Sequence, residues 1–162
     1  MPPTITRLLL AGALCALSSC RSTPPQDTRE DSPQACFAQL QNCLRKEDHR
    51  SLFELLSSET QQQLATALES PSNASHWRER GLDPQELLQL PAPKAFAQVF
   101  EQERALNPAI YQSLAATQLT QVSPRESDTE VELRCVHPET HKIQFLVLRQ
   151  EQGAWRIHEL FP

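Results

Sequence analysis

The side chains best suited to chemistry in this 162-residue chain are its five cysteines. Cys36 and Cys43 fall on one face of a predicted helix, where seven residues rise about 10.5 Å. A disulfide needs Cα atoms within about 7 Å, so these two cannot pair while the helix is intact. Cys135 faces the apolar side of a predicted strand that this helix could cover. In an oxidising compartment we therefore expect one disulfide, between Cys135 and either helical cysteine; the alternative is three buried thiols that pack as small apolar side chains.

A second cluster of reactive side chains follows the spacing Cys-x-His-x3-His. Cys135, His137 and His141 are residue types that bind zinc. Pro138 lies between them, and the sequence has no CxxC or HExxH motif to complete a site. A solvated hairpin turn explains the pattern better than a metal site. We therefore expect no metal and no cofactor.

Acid–base chemistry is suggested only by sequence neighbours, Asp48 with His49 and His158 with Glu159. Neighbouring side chains point in different directions on a helix or a strand, so neither pair has a catalytic geometry. Asp48 is more simply a helix N-cap. Tyr111 matches no catalytic motif. The chain is therefore not expected to be an enzyme.

The composition is that of an ordinary soluble domain, with 39% hydrophobic and 22% charged residues, and it excludes two classes of partner. Only three glycines are present, which is too few to form turns and also a glycine-rich loop that binds the phosphates of a nucleotide. Nucleotides bound through such a loop are therefore not expected as partners. Fifteen basic and 20 acidic side chains give a formal charge of −5. That charge argues against nucleic acid as a partner.

Apolar residues at three- and four-residue spacing predict helices over the first two thirds of the chain. Ser32 followed by Pro33 places serine at an N-cap and proline at the first helical position. A second helix is predicted after Asp48, and capping-box patterns at Ser58 and Asp83 predict two more. Another helix is predicted over residues 94–106.

After Tyr111 the apolar period changes from 3.6 to 2 residues, which predicts strands. The predicted strands are 114–123, 130–136, 142–150 and 154–161. Consecutive strands joined by tight turns form an antiparallel meander. Helices first and strands last predict an α+β fold, with N-terminal helices packed on a C-terminal curved antiparallel sheet.

One predicted strand is apolar on both faces. Phe145 and Val147 share one face, so Leu146 and Leu148 must point to the other. A strand of this kind is either covered on both faces or part of an interface. Leu146, Leu148 and Leu160 are therefore candidates for contact with a second copy or a partner protein.

The beginning of the chain has the features of a bacterial export signal. Arg7 supplies positive charge, and Leu8–Leu17 is an apolar run that as a helix covers only half of the roughly 30 Å hydrocarbon thickness. Leu17-Ser18-Ser19-Cys20 resembles a bacterial lipobox. The resemblance implies a lipoprotein signal peptide at residues 1–19, removal of that peptide, and a diacylglycerol thioether on Cys20 with an acylated amino terminus.

The residues after the lipobox-like motif predict a spacer and then a domain. Arg21–Asp31 is polar, so residues 20–32 are interpreted as a lipid-anchored flexible tether, and residues 33–162 as a single α+β domain. Arg21 at the second mature position resembles the sorting pattern of outer-membrane lipoproteins. The domain is therefore expected at the bacterial outer membrane, facing the periplasm.

Three segments of the predicted domain carry a likeness to a known superfamily. They are the amphipathic Ala35–Lys46, the segment Asp48–Leu56, and the ending Lys142–Ile157 with its Gly153 turn. In layout they resemble the NTF2-like superfamily over residues 34–161. The resemblance implies a cone with an apolar pocket between helices and sheet, used for catalysis, ligand binding or association. The chain departs from that pattern in having no strand between the early helices and a more helical middle.

These features together predict a membrane-anchored bacterial lipoprotein with a non-catalytic domain. Its expected partner is an envelope protein or a second copy of the chain. The alternative is a carrier of a small apolar ligand, in a helix–sheet pocket lined by Phe96, Phe100 and Trp155. An enzyme of the NTF2-like kind is the least favoured interpretation.

Overall fold

The computed structural model describes residues 31–160, and of residue 160 the backbone alone. Within this range seven α-helices precede the strands, with a short 3-10 turn at Pro71–Asn73 after the third helix. The helices are α1 (Pro33–Lys46), α2 (His49–Leu55), α3 (Ser58–Glu69), α4 (Ala74–Glu79), α5 (Pro84–Gln89), α6 (Ala92–Leu106) and α7 (Pro108–Ala116).

Several sequence predictions lie outside the described residues. These are the signal peptide at 1–19, the lipidation site Cys20, and the tether as far as residue 30. The side chain of Leu160, a predicted interface residue, also lies outside them. Among the described helices, none has the length and apolar character needed to cross a membrane.

Four strands follow the helices: β1 (Gln118–Pro124), β2 (Glu130–Val136), β3 (Ile143–Glu151) and β4 (Ala154–Leu160). They form one sheet in the order β1-β2-β3-β4, with each neighbouring pair antiparallel. Gln152 and Gly153 both have positive φ, so a two-residue turn joins β3 to β4. The predicted α+β fold, with helices first and an antiparallel meander last, is confirmed.

Side-chain caps explain where the helices begin. The N-cap side chains that accept a backbone N–H are Ser32 for α1, Asp48 for α2, Ser57 for α3 and Asp83 for α5. Such caps satisfy N–H groups that have no partner inside a helix. The caps of α1, α2 and α5 stand where the sequence predicted them, whereas α3 is capped by Ser57 and not by Ser58.

The main hydrophobic core lies between the helices and one face of the sheet. Leu40 of α1, Leu133 of β2, Leu146 of β3 and Ile157 of β4 are each at most 1% exposed and belong to one cluster. Burying each such side chain contributes about 1.5–3 kcal/mol. This packing fixes which face of the sheet the helices cover.

A smaller hydrophobic cluster joins the middle helices. Its buried members are Leu68, Trp77, Leu87, Ala95 and Val99. They come from α3, α4, α5 and α6, which therefore share a core separate from the sheet. Because α6 also packs on α2 and α7, it connects this cluster to the helices of the main core.

The prediction of an exposed interface at Leu146 and Leu148 is wrong. The two side chains are 0% and 1% exposed, because the helices of the main core cover their face of β3. On the opposite face Ile143 is 48% and Phe145 is 37% exposed. The predicted alternation of β3 therefore holds for these residues, and the helices cover the face that was expected to be open.

The first predicted strand begins too early. Residues 114–116 belong to α7, and β1 starts at Gln118. Pro108 occupies the start of α7, and Leu114 is buried in the main core, so the helical pattern continues to Ala116.

Candidate binding groove

An open groove of about 1200 Å³ lies between α1, the end of α6, α7 and β1. Its apolar lining includes Phe37 and Leu44 of α1 with Leu119 and Val122 of β1. These four side chains also pack in or against the main core. The groove therefore has an apolar base that belongs to the fold itself.

The polar lining of the groove consists largely of side-chain amides. The glutamines that line it are Gln34, Gln41, Gln112, Gln118 and Gln121. Each amide offers two N–H donors and one carbonyl acceptor. These amides suit a polar, uncharged group such as a peptide bond, and the apolar base suits the side chains of the same occupant.

Gln41 and Arg45 connect the two helical walls. The Nε2 of Gln41 donates to the Thr117 carbonyl at 2.6 Å, and Arg45 donates to the Gln41 Oε1 at 3.3 Å. Arg45 also donates to the Ala115 carbonyl at 3.4 Å. These bonds hold the end of α7 against α1 and so place the start of β1 beside the groove.

Gln34 has an unusual acceptor. Its Oε1 is buried and has no hydrogen-bond partner among the described residues. An acceptor left in this state costs about 1–3 kcal/mol of lost solvation. Other parts of the Gln34 side chain line the groove.

The titratable groups of the groove have fixed protonation near neutral pH. The guanidinium of Arg104 forms an ion pair with Glu47 and lowers the pKa of that carboxyl. The ring of Tyr111 packs edge-on against Phe100 at 4.7 Å. Burial raises the pKa of the Tyr111 hydroxyl, and the charge on Glu103 raises it further. Glu47 is therefore ionised and Tyr111 protonated.

The predicted pocket residues do not line this groove. Phe96 and Phe100 stack between Phe53 and Tyr111, with ring centroids 5.5 Å apart, as part of the wall behind it. Trp155 packs against the main core from β4, the strand farthest from β1. All three pack against the main core, Phe96 and Phe100 from α6 and Trp155 from β4.

The three cysteines within the described residues, Cys36, Cys43 and Cys135, are buried free thiols. The structure thus has no disulfide where the sequence predicted one and matches the alternative of apolar packing. The main contacts of α1 with the sheet are with β1 and β4, and Cys135 lies on β2. Burial raises the pKa of Cys36 and Cys135 to about 12, so neither thiol is a nucleophile at neutral pH.

The structure brings together a serine and a histidine that sequence analysis did not connect. Ser57 Oγ lies 3.2 Å from Nδ1 of His158, whose Nε2 lies 2.7 Å from the Arg149 guanidinium. A guanidinium only donates, so in the neutral ring Nδ1 carries the proton and donates to Ser57. Ser57 also accepts from the Thr60 N–H and is fully buried. The pair therefore holds β4 against the start of α3, and it has no general base for catalysis.

His137 also has a structural role. Its Nδ1 accepts hydrogen bonds from the N–H groups of Glu139 and Thr140, both at 3.2 Å. The ring thereby caps the turn between β2 and β3. Within residues 31–160, no three His, Cys, Asp or Glu side chains are grouped so as to hold a metal ion.

The described geometry singles out the groove as the candidate binding site. Comparison of the chain with protein-family models, with curated proteins and with solved structures finds no match.

Proposed function

We propose that this protein is a lipid-anchored lipoprotein of the bacterial envelope whose domain binds a segment of a partner protein in the groove between α1, α7 and β1. The observation that carries the proposal is the groove itself, with its volume of about 1200 Å³ and its amide-rich lining. The domain acts by binding and not by catalysis. The lipobox-like Leu17-Ser18-Ser19-Cys20 supports the anchor.

The groove favours a protein segment over a small apolar molecule. Pockets for small molecules measure about 300–1,000 Å³ and enclose most of the ligand surface. This groove, at about 1200 Å³, is larger and half open to solvent. An apolar occupant would also remove amides from water without giving them hydrogen bonds. A polypeptide segment supplies both apolar side chains and hydrogen-bonding backbone groups.

The anchor is tested by replacing the thiol that would carry the lipid. Cells that express the chain are labelled with radioactive palmitate, and the mass of the chain is measured. The unaltered chain should be labelled and should lose residues 1–19, whereas Cys20→Ser should be unlabelled and should keep them. An unlabelled native chain, or a labelled Cys20→Ser chain, would contradict the anchor.

The groove is tested by site-specific photo-crosslinking in the source cells. A benzophenone amino acid at Gln112 or Gln118 places the probe in the groove lining, on α7 or on β1, and one at Glu132 places it on β2, outside that lining. Both groove positions should crosslink to the same segment of one protein, identified by mass spectrometry. Crosslinking to a protein from Glu132 alone would contradict the proposal.

A blocking substitution supplies the matched control. Ala38 and Gln39 are exposed neighbours on α1, and only Ala38 lines the groove. Ala38→Trp should fill the groove and abolish the crosslink, whereas Gln39→Trp should leave it unchanged. A small molecule retained in native mass spectra of the protein and lost in Ala38→Trp would support the ligand-carrier alternative instead.

A further inference from the structure

We infer that the segment bound in the groove is an extended polypeptide strand that pairs with the open edge of β1, and that the groove glutamines hold its backbone amides. This inference rests on the proposed function and names the conformation of the bound segment. Three observations carry it: the open edge of β1, the amides on both sides of the groove, and the unpartnered acceptor on Gln34.

The first observation is the edge itself. Within residues 31–160, β1 pairs with β2 alone. The Arg125 N–H donates to the Glu130 carbonyl at 3.1 Å, next to the last register pair of the two strands. Residues that bond to the partner alternate along an antiparallel strand, so Ser123 faces β2 and Val122 faces away. The N–H and C=O of Val122 therefore point to the open edge, where an added strand would form its bonds.

The second observation concerns the length of that edge. A register irregularity at Thr120 interrupts β1 on one side of Val122, and Pro124, which has no N–H, interrupts it on the other. The backbone can therefore pair with only a short stretch of an added strand. Gln118 and Gln121 lie within the same stretch of β1 and line the groove. Their side-chain amides can continue the hydrogen bonding where the backbone cannot.

The third observation is on the facing helix. The buried Oε1 of Gln34 accepts no hydrogen bond from the described residues, although it lies in a residue that lines the groove. This oxygen is shielded from solvent, so a backbone N–H of a bound strand would satisfy it only after the Gln34 side chain turns toward the groove. With Gln34 on α1 and Val122 on β1, the groove presents hydrogen-bonding groups from opposite sides, as a strand backbone requires.

A saccharide is the other occupant that amides could hold. Its hydroxyl groups bond to glutamine side chains, but a sugar has no row of N–H and C=O groups at the spacing of a strand. The paired donor and acceptor of Val122 therefore favour a polypeptide. Oligosaccharides without any peptide enter the experiment as competitors, so that a glycan-binding groove would be recognised.

The probe for the test is a library of random twelve-residue peptides displayed on phage. The full chain with Cys20→Ser is immobilised, and enriched peptides are synthesised and measured by calorimetry. Binding in the groove is first established with Ala38→Trp, which should abolish it, and Gln39→Trp, which should not. Equally tight binding of the peptides to Ala38→Trp, or their displacement by the peptide-free oligosaccharides, would overturn the inference.

Strand pairing is then separated from groove binding by a matched pair of variants. Val122→Pro removes the edge-facing N–H at a position where an edge strand tolerates proline, and Val122→Ala loses similar side-chain packing but keeps the N–H. The peptide should bind Val122→Pro roughly tenfold more weakly than Val122→Ala. A peptide N-methylated at the residue opposite Val122 should show a similar loss. Equal affinities in both comparisons would overturn strand pairing and leave the proposed groove intact.

The role of Gln34 has a readout that does not depend on any ligand. Gln34→Leu keeps the size of the side chain and removes the unpartnered acceptor. It should weaken peptide binding by about threefold or more while leaving the thermal midpoint of the free protein equal or higher. A lower midpoint with unchanged peptide affinity would show that Gln34 serves the fold and not the ligand.

Discussion

The two edges of the sheet differ in whether other parts of the described chain form hydrogen bonds with them. At β4 the edge is closed: Leu56 forms a parallel bridge with Ile157, and the Ser57 N–H donates to the Ile157 carbonyl at 2.7 Å. Thr60 adds a bond to the His158 carbonyl at 2.7 Å. At β1 the edge borders the groove and pairs with no further strand of the described chain. One edge is thus built into the fold, and the other has no partner strand within the described residues.

The largest effect that would sharpen this contrast is expected at Leu56. This side chain is 5% exposed and sits in the main core at the closed edge. Leu56→Ala should lower the free energy of unfolding by about 2–5 kcal/mol, because it leaves a cavity. Leu119→Ala on β1 is the control and should cost less, since Leu119 is only partly buried. Urea unfolding measures both, and equal losses would contradict the difference between the edges.

The next effect is expected at the hydrogen bonds that seal β4. Ser57→Ala removes the N-cap of α3 and the acceptor for His158. The N-cap and the hydrogen bond with His158 each stabilise the folded chain, so the free energy of unfolding should fall by about 1–2 kcal/mol. Thr120→Ala, on the exposed part of β1, should change it by less than about 0.5 kcal/mol. A Ser57→Ala chain as stable as the unaltered one would show that the hydrogen bonds of Ser57 do not stabilise the β4 edge.

Acid should weaken the closed edge through Glu59. A hydrogen bond from Arg149 lowers the pKa of this carboxyl below its ordinary value. Its contribution to stability is therefore present above the ordinary glutamate pKa and is lost as the pH falls through the lowered value. The difference in thermal midpoint between the unaltered chain and Arg149→Gln should shrink from pH 7 to pH 3.

The ion pair between Arg104 and Glu47 in the groove is the control for the effect of Arg149→Gln. Arg104 lowers the pKa of Glu47 in the same way, but Arg149 also bonds to Glu130 and His158. Arg104→Gln should therefore lower the thermal midpoint at pH 7 by less than Arg149→Gln does. A larger effect of Arg104→Gln would reverse the comparison and make the groove the more rigid region.

The smallest effect is expected on β1 itself. Gln121 is exposed, and its side chain bonds only to Ser123 at 2.9 Å among the described residues. Gln121→Lys should change the unfolding free energy by less than about 0.5 kcal/mol. The same substitution should weaken binding of the selected peptides, because lysine replaces an amide by a charge without an acceptor. A stability loss as large as that of Ser57→Ala would mean that β1 is as tightly built in as β4.

Periodicity predicted the elements well and their environment less well. The alternation along β3 separated Leu146 from Phe145, because side chains of a strand alternate whatever surrounds it. It could not say which of the two faces the helices would cover, since both carry large apolar residues. That choice depends on the packing of α1, α2 and α7, which is a property of the whole chain.

The groove could not be predicted for a related reason. Its walls meet where Gln41 bonds to the Thr117 carbonyl, 76 residues further along the chain. The five lining glutamines are scattered and belong to no motif. Ser57 and His158 meet across 101 residues. In both cases the local residue types were visible in the sequence, and only the tertiary packing assigned them partners.

The interruptions of β1 also bear on how copies of this chain avoid polymerising. A long, regular edge strand can add an identical strand, and repetition of that step leads to fibres. The irregularity at Thr120 and the missing N–H of Pro124 leave an edge too short for stable self-addition. The β1 edge can therefore remain unpaired within the described residues without becoming a template for further copies of the chain.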